Sequence, residues 1–238
     1  MIMAQPKGKF FVLCGTDGSG KGTQTELLIE RLRTEGYTVE GADFPRYGQP
    51  SCFFVEKYLN GEYGAAGEVN PRAASLFYAL DRYDASFGMH QVLDEGKTIV
   101  SNRYVSANQG HQASKLATQE LRAEFVQWID ELEYGILGIP RPDLTLFLHM
   151  PPEMGQKLVE KKTVNRAYLK GGRTKDIHEA DIEHLRRATE AYQEMVAHHK
   201  DWRQIECMED DKVLSREEVA ARIWTVIEPF MKDIKPKQ

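Results

Sequence analysis

Short stretches of strand character are separated by longer stretches with helical spacing, and this alternation predicts strands joined by helices. Phe10-Phe11-Val12-Leu13 is unbroken by polar residues, as expected of a strand covered on both faces. Thr23 to Glu35 carries Leu27, Leu28 and Leu32 on one face and meets a glycine stop at Gly36, predicting the first helix. Further strands are expected at Thr38 to Phe44, Thr98 to Ser101, Leu144 to Leu148 and Trp202 to Met208. Asn70-Pro71 places a capping side chain before a proline at the first helical position. The helix it opens bears Leu76, Phe77, Leu80, Tyr83 and Phe87, most of which the spacing assigns to the core, and it stops by Gly96. A helix from about Thr118 to Tyr134 sets Leu121, Phe125, Trp128 and Leu132 at core spacing, and Pro151-Pro152 starts another. Ser215-Arg216-Glu217-Glu218 is a capping box before a last helix with Val219, Ile223, Ile227 and Phe230 inward. Strands alternating with helices predict an α/β fold of three layers, with helices on both faces of a five-stranded parallel sheet.

Composition narrows this picture. No linker or internal repeat divides the 238 residues, so one domain covering 1–238 is expected. The 31 basic and 36 acidic residues give a net charge of −5 and are interspersed, which argues against a nucleic-acid partner. No apolar run approaches the roughly 18–20 residues of a membrane span, and Met1 to Lys9 lacks the apolar centre of a signal peptide. Cys14, Cys52 and Cys207 are far apart with no metal-binding spacing, and are expected to be reduced in a cytoplasmic protein.

The chemistry concentrates just after the first strand, in Gly15-Thr16-Asp17-Gly18-Ser19-Gly20-Lys21-Gly22-Thr23. Strand, glycine-rich turn, lysine and helix together make a phosphate-binding loop. Its glycines let the backbone aim several N–H groups at one point, and the helix start adds the positive end of its dipole. Lys21 can then reach the transferable phosphate. Gly22 stands where Ser or Thr usually follows the lysine, so Thr23 is the candidate hydroxyl for Mg²⁺.

Other candidates follow the strand ends, where a parallel sheet places its ligands. Arg46, in Phe44-Pro45-Arg46-Tyr47, follows the second strand, and Arg103, in Asn102-Arg103-Tyr104, follows the third. Tyr78 and Arg82 are four apart on one helix face, a pair suited to stacking on and hydrogen-bonding a nucleobase, or to plain surface packing. From about residue 160 to 176 basic residues crowd around Gly171-Gly172, the composition of a mobile lid that closes cations over phosphates. Asp176 and Glu179 follow it, three apart.

In that order and spacing these motifs, with Pro142-Asp143-Leu144-Thr145-Leu146-Phe147-Leu148, resemble the thymidylate (dTMP) kinases, over roughly residues 9 to 210. The resemblance implies a P-loop kinase fold and phosphorylation of dTMP to dTDP by Mg²⁺·ATP in a homodimer. It implies that Gly15 through Thr23 hold the ATP phosphates and that Asp17 meets the 3′-hydroxyl side of the acceptor sugar. Arg46 and Arg103 would clamp the dTMP phosphate, with Phe44, Pro45 and Tyr47 lining that pocket. Tyr78 would stack on thymine, Arg82 would bond its carbonyl, Asn108 would lie at the base, and Gln112 would be a further substrate-binding residue. His111 falls where the family usually has Tyr or Phe beside the sugar. Arg166 and Arg173 would be lid arginines, with Asp176 and Glu179 near the sugar and metal. Asn102 replaces an aspartate that usually helps to hold Mg²⁺, so the metal would rest on Asp17, Thr23 and the nucleotide. A kinase for another nucleoside monophosphate, or a nucleotide-binding homologue with impaired catalysis, fits the same residues.

Overall fold

The computed structural model describes residues 8–65, 67–160 and 182–234. Five parallel strands form one sheet in the order β2-β3-β1-β4-β5. They are β1 (Phe10–Cys14), β2 (Val39–Asp43), β3 (Thr98–Asn102), β4 (Leu144–His149) and β5 (Trp202–Glu206). The connecting helices are α1 (Lys21–Thr34), α2 (Phe53–Leu59), α3 (Pro71–Asp94), the short α4 (Val105–Ala107), α5 (Gln119–Asp130), α6 (Pro152–Glu160), α7 (Ile182–His198) and α8 (Arg216–Met231). A two-stranded hairpin, β6 (Met208–Glu209) with β7 (Lys212–Val213), precedes α8.

Alternation along β1 divides the core. Phe11 and Leu13 face a layer containing Leu28 and Leu32 of α1 and Val219, Ile223, Ile227 and Met231 of α8. Phe10 and Val12 face the opposite layer, with Met89 of α3 and Phe125 and Ile129 of α5. On that second side, Tyr192 of α7 stacks on Phe147 of β4 at 4.9 Å. All of β1 is buried, and each large apolar side chain so enclosed contributes about 1.5–3 kcal/mol relative to exposure.

Register then sets the functional edge. Leu13 pairs with Asn102, and Asn102 with Asp43, so β1, β3 and β2 end level with one another. The loop after β1, Arg103 after β3 and Arg46 after β2 therefore emerge on the same rim.

Two burial expectations are corrected. Leu76, Leu80, Tyr83 and Phe87 lie exposed on the outer face of α3, whose buried face instead carries Ala74, Ala79, Asp81, Arg82, Ser86 and Met89. Leu121 of α5 is exposed as well. The spacing identified an apolar stripe, but periodicity does not say which way a stripe points. The expected lid, about 160–176, falls largely outside the described residues.

Candidate active site

The phosphate-binding loop occupies the turn from β1 into α1. Gly20 caps α1 in the left-handed region, φ 86°, where a side chain would be strained. Gly18 is required for space: a Cβ there would stand 2.1 Å from the Gly155 carbonyl oxygen of α6. The N–H groups of Lys21, Gly22 and Thr23 have no acceptor within their own helix, whose first such bond runs from Gln24 N–H to the Gly20 carbonyl. Thr16 Oγ1 and Ser19 Oγ are buried without a hydrogen-bond partner among the described residues. Such a cradle of orphaned donors is complementary to phosphate.

Lys21 is buried, and its ammonium donates to the Thr16 carbonyl at 2.8 Å and lies 3.5 Å from Asp17 Oδ1. Burial, reinforced by the nearby Arg103 cation, lowers its pKa to about 8. Arg103 donates from Nη2 to Asp17 Oδ1, and its Nη1 lies 3.4 Å from His111 Nε2. Its backbone sits at φ 63°, rare for a residue with a side chain. Two contacts fix that conformation: its N–H bonds the Leu13 carbonyl, and its carbonyl accepts from Ser101 Oγ.

A cavity of about 690 Å³ opens over the loop. Lys21, Thr23, Arg103 and Arg216 line it together with the apolar Met150, Leu158 and Leu214. A lining that is both cationic and apolar suits a ligand that carries phosphates and a flat base.

The acceptor-side candidates are held largely by one another and by neighbouring side chains. Arg46 follows a cis Phe44–Pro45 peptide and is engaged by carboxylates: Nε bonds Asp81 Oδ1 at 3.0 Å and Nη2 bonds Asp84 Oδ2 at 2.5 Å. Burial lowers its pKa, but those two carboxylates carry it above the usual arginine value. Phe44 is a core residue against Tyr104, while Tyr47 is exposed. Tyr78 is half-buried and meets the Tyr58 ring edge-on. Arg82 is not surface packing at all: it is wholly buried, forked onto Glu133 through Nε and Nη2, both at 2.6 Å. Asn108 and His111 lie in the π-helical turn Asn108–Gln112 that follows α4, and His111 stacks on His184 of α7 with ring centres 5.5 Å apart. Gln112 is buried in the same turn, its Oε1 without a hydrogen-bond partner among the described residues. Arg166, Arg173, Asp176 and Glu179 lie outside the described residues.

A family model for thymidylate kinase matches residues 13–219. The chain belongs to the thymidylate kinase family. It is 31% identical over 184 residues to the thymidylate kinase of Mycobacterium tuberculosis, covering 77% of this chain and 83% of that one. It is 30% identical over 227 residues to that of Synechococcus sp. (strain JA-2-3B'a(2-13)), covering 92% and 94%. The solved thymidylate kinase of Candida albicans superposes with a TM-score of 0.72 at 21% identity, over 96% of this chain and 94% of that one, a likeness of fold.

Sequence reading missed three residues in this thymidylate kinase family site: Asp43, Glu133 and His184. Asp43 Oδ1 accepts from Asn102 Nδ2 at 2.9 Å, which puts a carboxylate beside the amide that replaces the expected aspartate. The signal for Asp43 was available, because it ends β2 in register with Asn102. Glu133 and His184 carry no local motif. Among the described residues no group of three or more His, Cys, Asp or Glu could hold a metal ion alone. Asp17, Thr23 and Asn102 line the cavity, Asp43 lies beside Asn102, and Asn102 Oδ1 has no hydrogen-bond partner among the described residues; all offer oxygen donors of the kind Mg²⁺ favours.

The lowered pKa of Lys21 sets a pH dependence. The ammonium is held below its unfolded value, so the empty fold is penalised up to pH 8, and stability rises from about pH 8 to lysine's ordinary range. Bound phosphates favour the charged form, so their affinity is full below pH 8 and is lost above it. Between pH 7.5 and 9, ATP affinity measured by calorimetry should fall roughly eightfold in the wild type, with proton uptake, and stay flat in Lys21→Met.

Proposed function

We propose that this chain transfers the γ-phosphoryl group of Mg²⁺·ATP to the 5′-phosphate of dTMP, giving dTDP and ADP. The convergence of Lys21, Asp17 and Arg103 beneath the cavity over the phosphate loop carries this reading, in a chain of this family. The attacking oxygen of the monophosphate is already anionic, so no general base is needed. A new P–O bond forms to the γ-phosphorus as the bond to the β-phosphate oxygen breaks, and ADP leaves. The protein's contribution is alignment and charge: loop amides and Lys21 hold the donor, and Arg103 meets the acceptor phosphate. Asp17 keeps Arg103 aimed at the loop until substrate arrives. Arg46 is the second acceptor clamp, released from Asp84 when a phosphate replaces that carboxylate. Tyr78 stacks on the base, with Arg82 and Asn108 at its edge, His111 and Gln112 beside the sugar, and Arg166, Arg173, Asp176 and Glu179 in the roles the resemblance gives them.

Mg²⁺, if bound here, would supply positive charge to offset that of the phosphates. Asp17, Asp43 and Thr23 are the residues that would hold it, with Asp43 supplying the charge that Asn102 lacks.

The exposed stripe Leu76, Leu80, Tyr83 and Phe87 on α3, flanked by the exposed Phe53 and Phe54, supports a homodimer through this face. The three cysteines are free and buried, with thiols pushed up to about 12 mainly by burial, which supports a reducing, cytoplasmic setting. No helix among the described residues is long and apolar enough to cross a membrane.

A coupled assay of ADP release across dTMP, dUMP, dCMP, dGMP and UMP should show dTMP preferred, with kcat lowered at least about 1,000-fold in Lys21→Ala. ADP release from none of them, or undiminished turnover in Lys21→Ala, would refute the assignment. Asp43→Asn should raise the Mg²⁺ concentration for half-maximal activity about tenfold; an unchanged requirement removes Asp43 from the metal site. Light scattering should report a dimer that Phe87→Glu converts to a monomer, whereas a wild-type monomer would exclude this interface.

A further inference from the structure

A buried polar cluster outside the phosphate loop joins three elements. Glu133 belongs to the π-helical turn Glu131–Ile136 that ends α5, and it is completely buried. It accepts from Arg82 of α3 through both carboxylate oxygens, and its Oε1 also accepts from Asn108 Nδ2 at 3.2 Å. Asn108 Nδ2 donates in addition to the Ser75 carbonyl of α3, again at 3.2 Å. All three side chains are at least 98% buried.

These partners dictate polarity. A carboxylate and a backbone carbonyl only accept, so the end of the Asn108 amide that faces them must be the NH2 group. Both of its hydrogens are then used, and what the amide has left to offer is Oδ1, an acceptor. Arg82 has Nε–H and one Nη2–H on Glu133 and one Nη1–H on the Tyr104 carbonyl at 3.3 Å, so what it retains are donors. The pair therefore presents one acceptor and a donor fork. Thymine offers the complement, an N3–H donor beside the O4 acceptor. Cytosine offers the reverse at both positions, a bare N3 beside an amine.

We infer that Glu133 is the specificity-setting residue of the acceptor pocket: it fixes the amide orientation of Asn108 and the fork of Arg82, so that the base edge is read as thymine or uracil and refused as cytosine. This rests on the dTMP reading above, in which Arg82 and Asn108 meet the base. Glu133 touches no reacting atom and acts through those two side chains.

The test is Glu133→Gln assayed with dTMP, dUMP and dCMP under saturating ATP. A glutamine can donate where Glu133 only accepts, which lets the Asn108 amide turn over. The ratio of kcat/KM for dTMP to that for dCMP should fall at least about tenfold, since mismatched buried polar groups discriminate by that much or more. The value for dUMP should follow dTMP, and KM for ATP should stay as in the wild type. Glu133→Asp is the second variant: it keeps the counter-charge that buried Arg82 requires but is one methylene short of spanning both partners. It should remain folded by thermal melting and show the same shift in ratio. Equal losses for all three monophosphates in a folded variant mean a purely structural role and overturn the inference. A wild type that phosphorylates none of the three overturns the dTMP reading instead, so the two failures are distinguishable.

Discussion

The catalytic end depends on the parallel register that brings β1, β3 and β2 to a common rim, with Leu13 beside Asn102 and Asn102 beside Asp43. A slip of one residue would turn every side chain to the opposite face of the sheet and take Arg103 out of reach of Asp17. The register is strongly specified because both faces of β1 are covered by apolar layers. Arg103 shows the local consequence. Its left-handed backbone costs of order 1 kcal/mol or more, and that cost is borne because its N–H is tied to β1 and its carbonyl to Ser101.

On this rim the cations are paired with carboxylates. Lys21 and Arg103 share Asp17, and Arg46 sits between Asp81 and Asp84. Two cations packed near one loop would otherwise repel, and that repulsion adds to burial in lowering the pKa of Lys21. Under the proposed function these carboxylates are placeholders that keep the guanidinium groups ordered, and a polyanionic ligand would substitute phosphate oxygens for them. Substrate would then replace existing charge contacts without having to order loose side chains, and less binding energy would be lost to reorganisation.

How much of this the sequence disclosed depends on how local each feature is. The phosphate loop was legible because strand, glycines, lysine and helix start lie within fifteen consecutive residues. The strands and the Ser215 capping box were equally local, and the box is present with both of its hydrogen bonds. The β6–β7 hairpin and α2 escaped because each is too short to show a period. The stripe on α3 was seen but given the wrong direction, since an exposed apolar stripe and one that meets the core have the same spacing. Arg82 stood in the recognised motif, yet its burial depends on Glu133, 51 residues away. Nothing within one helical turn of either residue announces the other.

That distant pair also argues for what it is doing there. Withdrawing a guanidinium and a carboxylate from water costs several kcal/mol per ion, and their attraction does little more than offset it, so an apolar pair of similar volume would serve stability as well or better. Burial by itself would lower the Arg82 pKa, and Glu133 more than restores it, so the charge is kept at the fold's expense. What a forked ion pair supplies and apolar packing does not is direction: each N–H and each lone pair has one place to point. Glu133 holds α3 and the turn after β3 against the end of α5 through bonds of defined polarity. A pocket that must tell one pyrimidine from another at two ring positions needs that polarity more than it needs the stability.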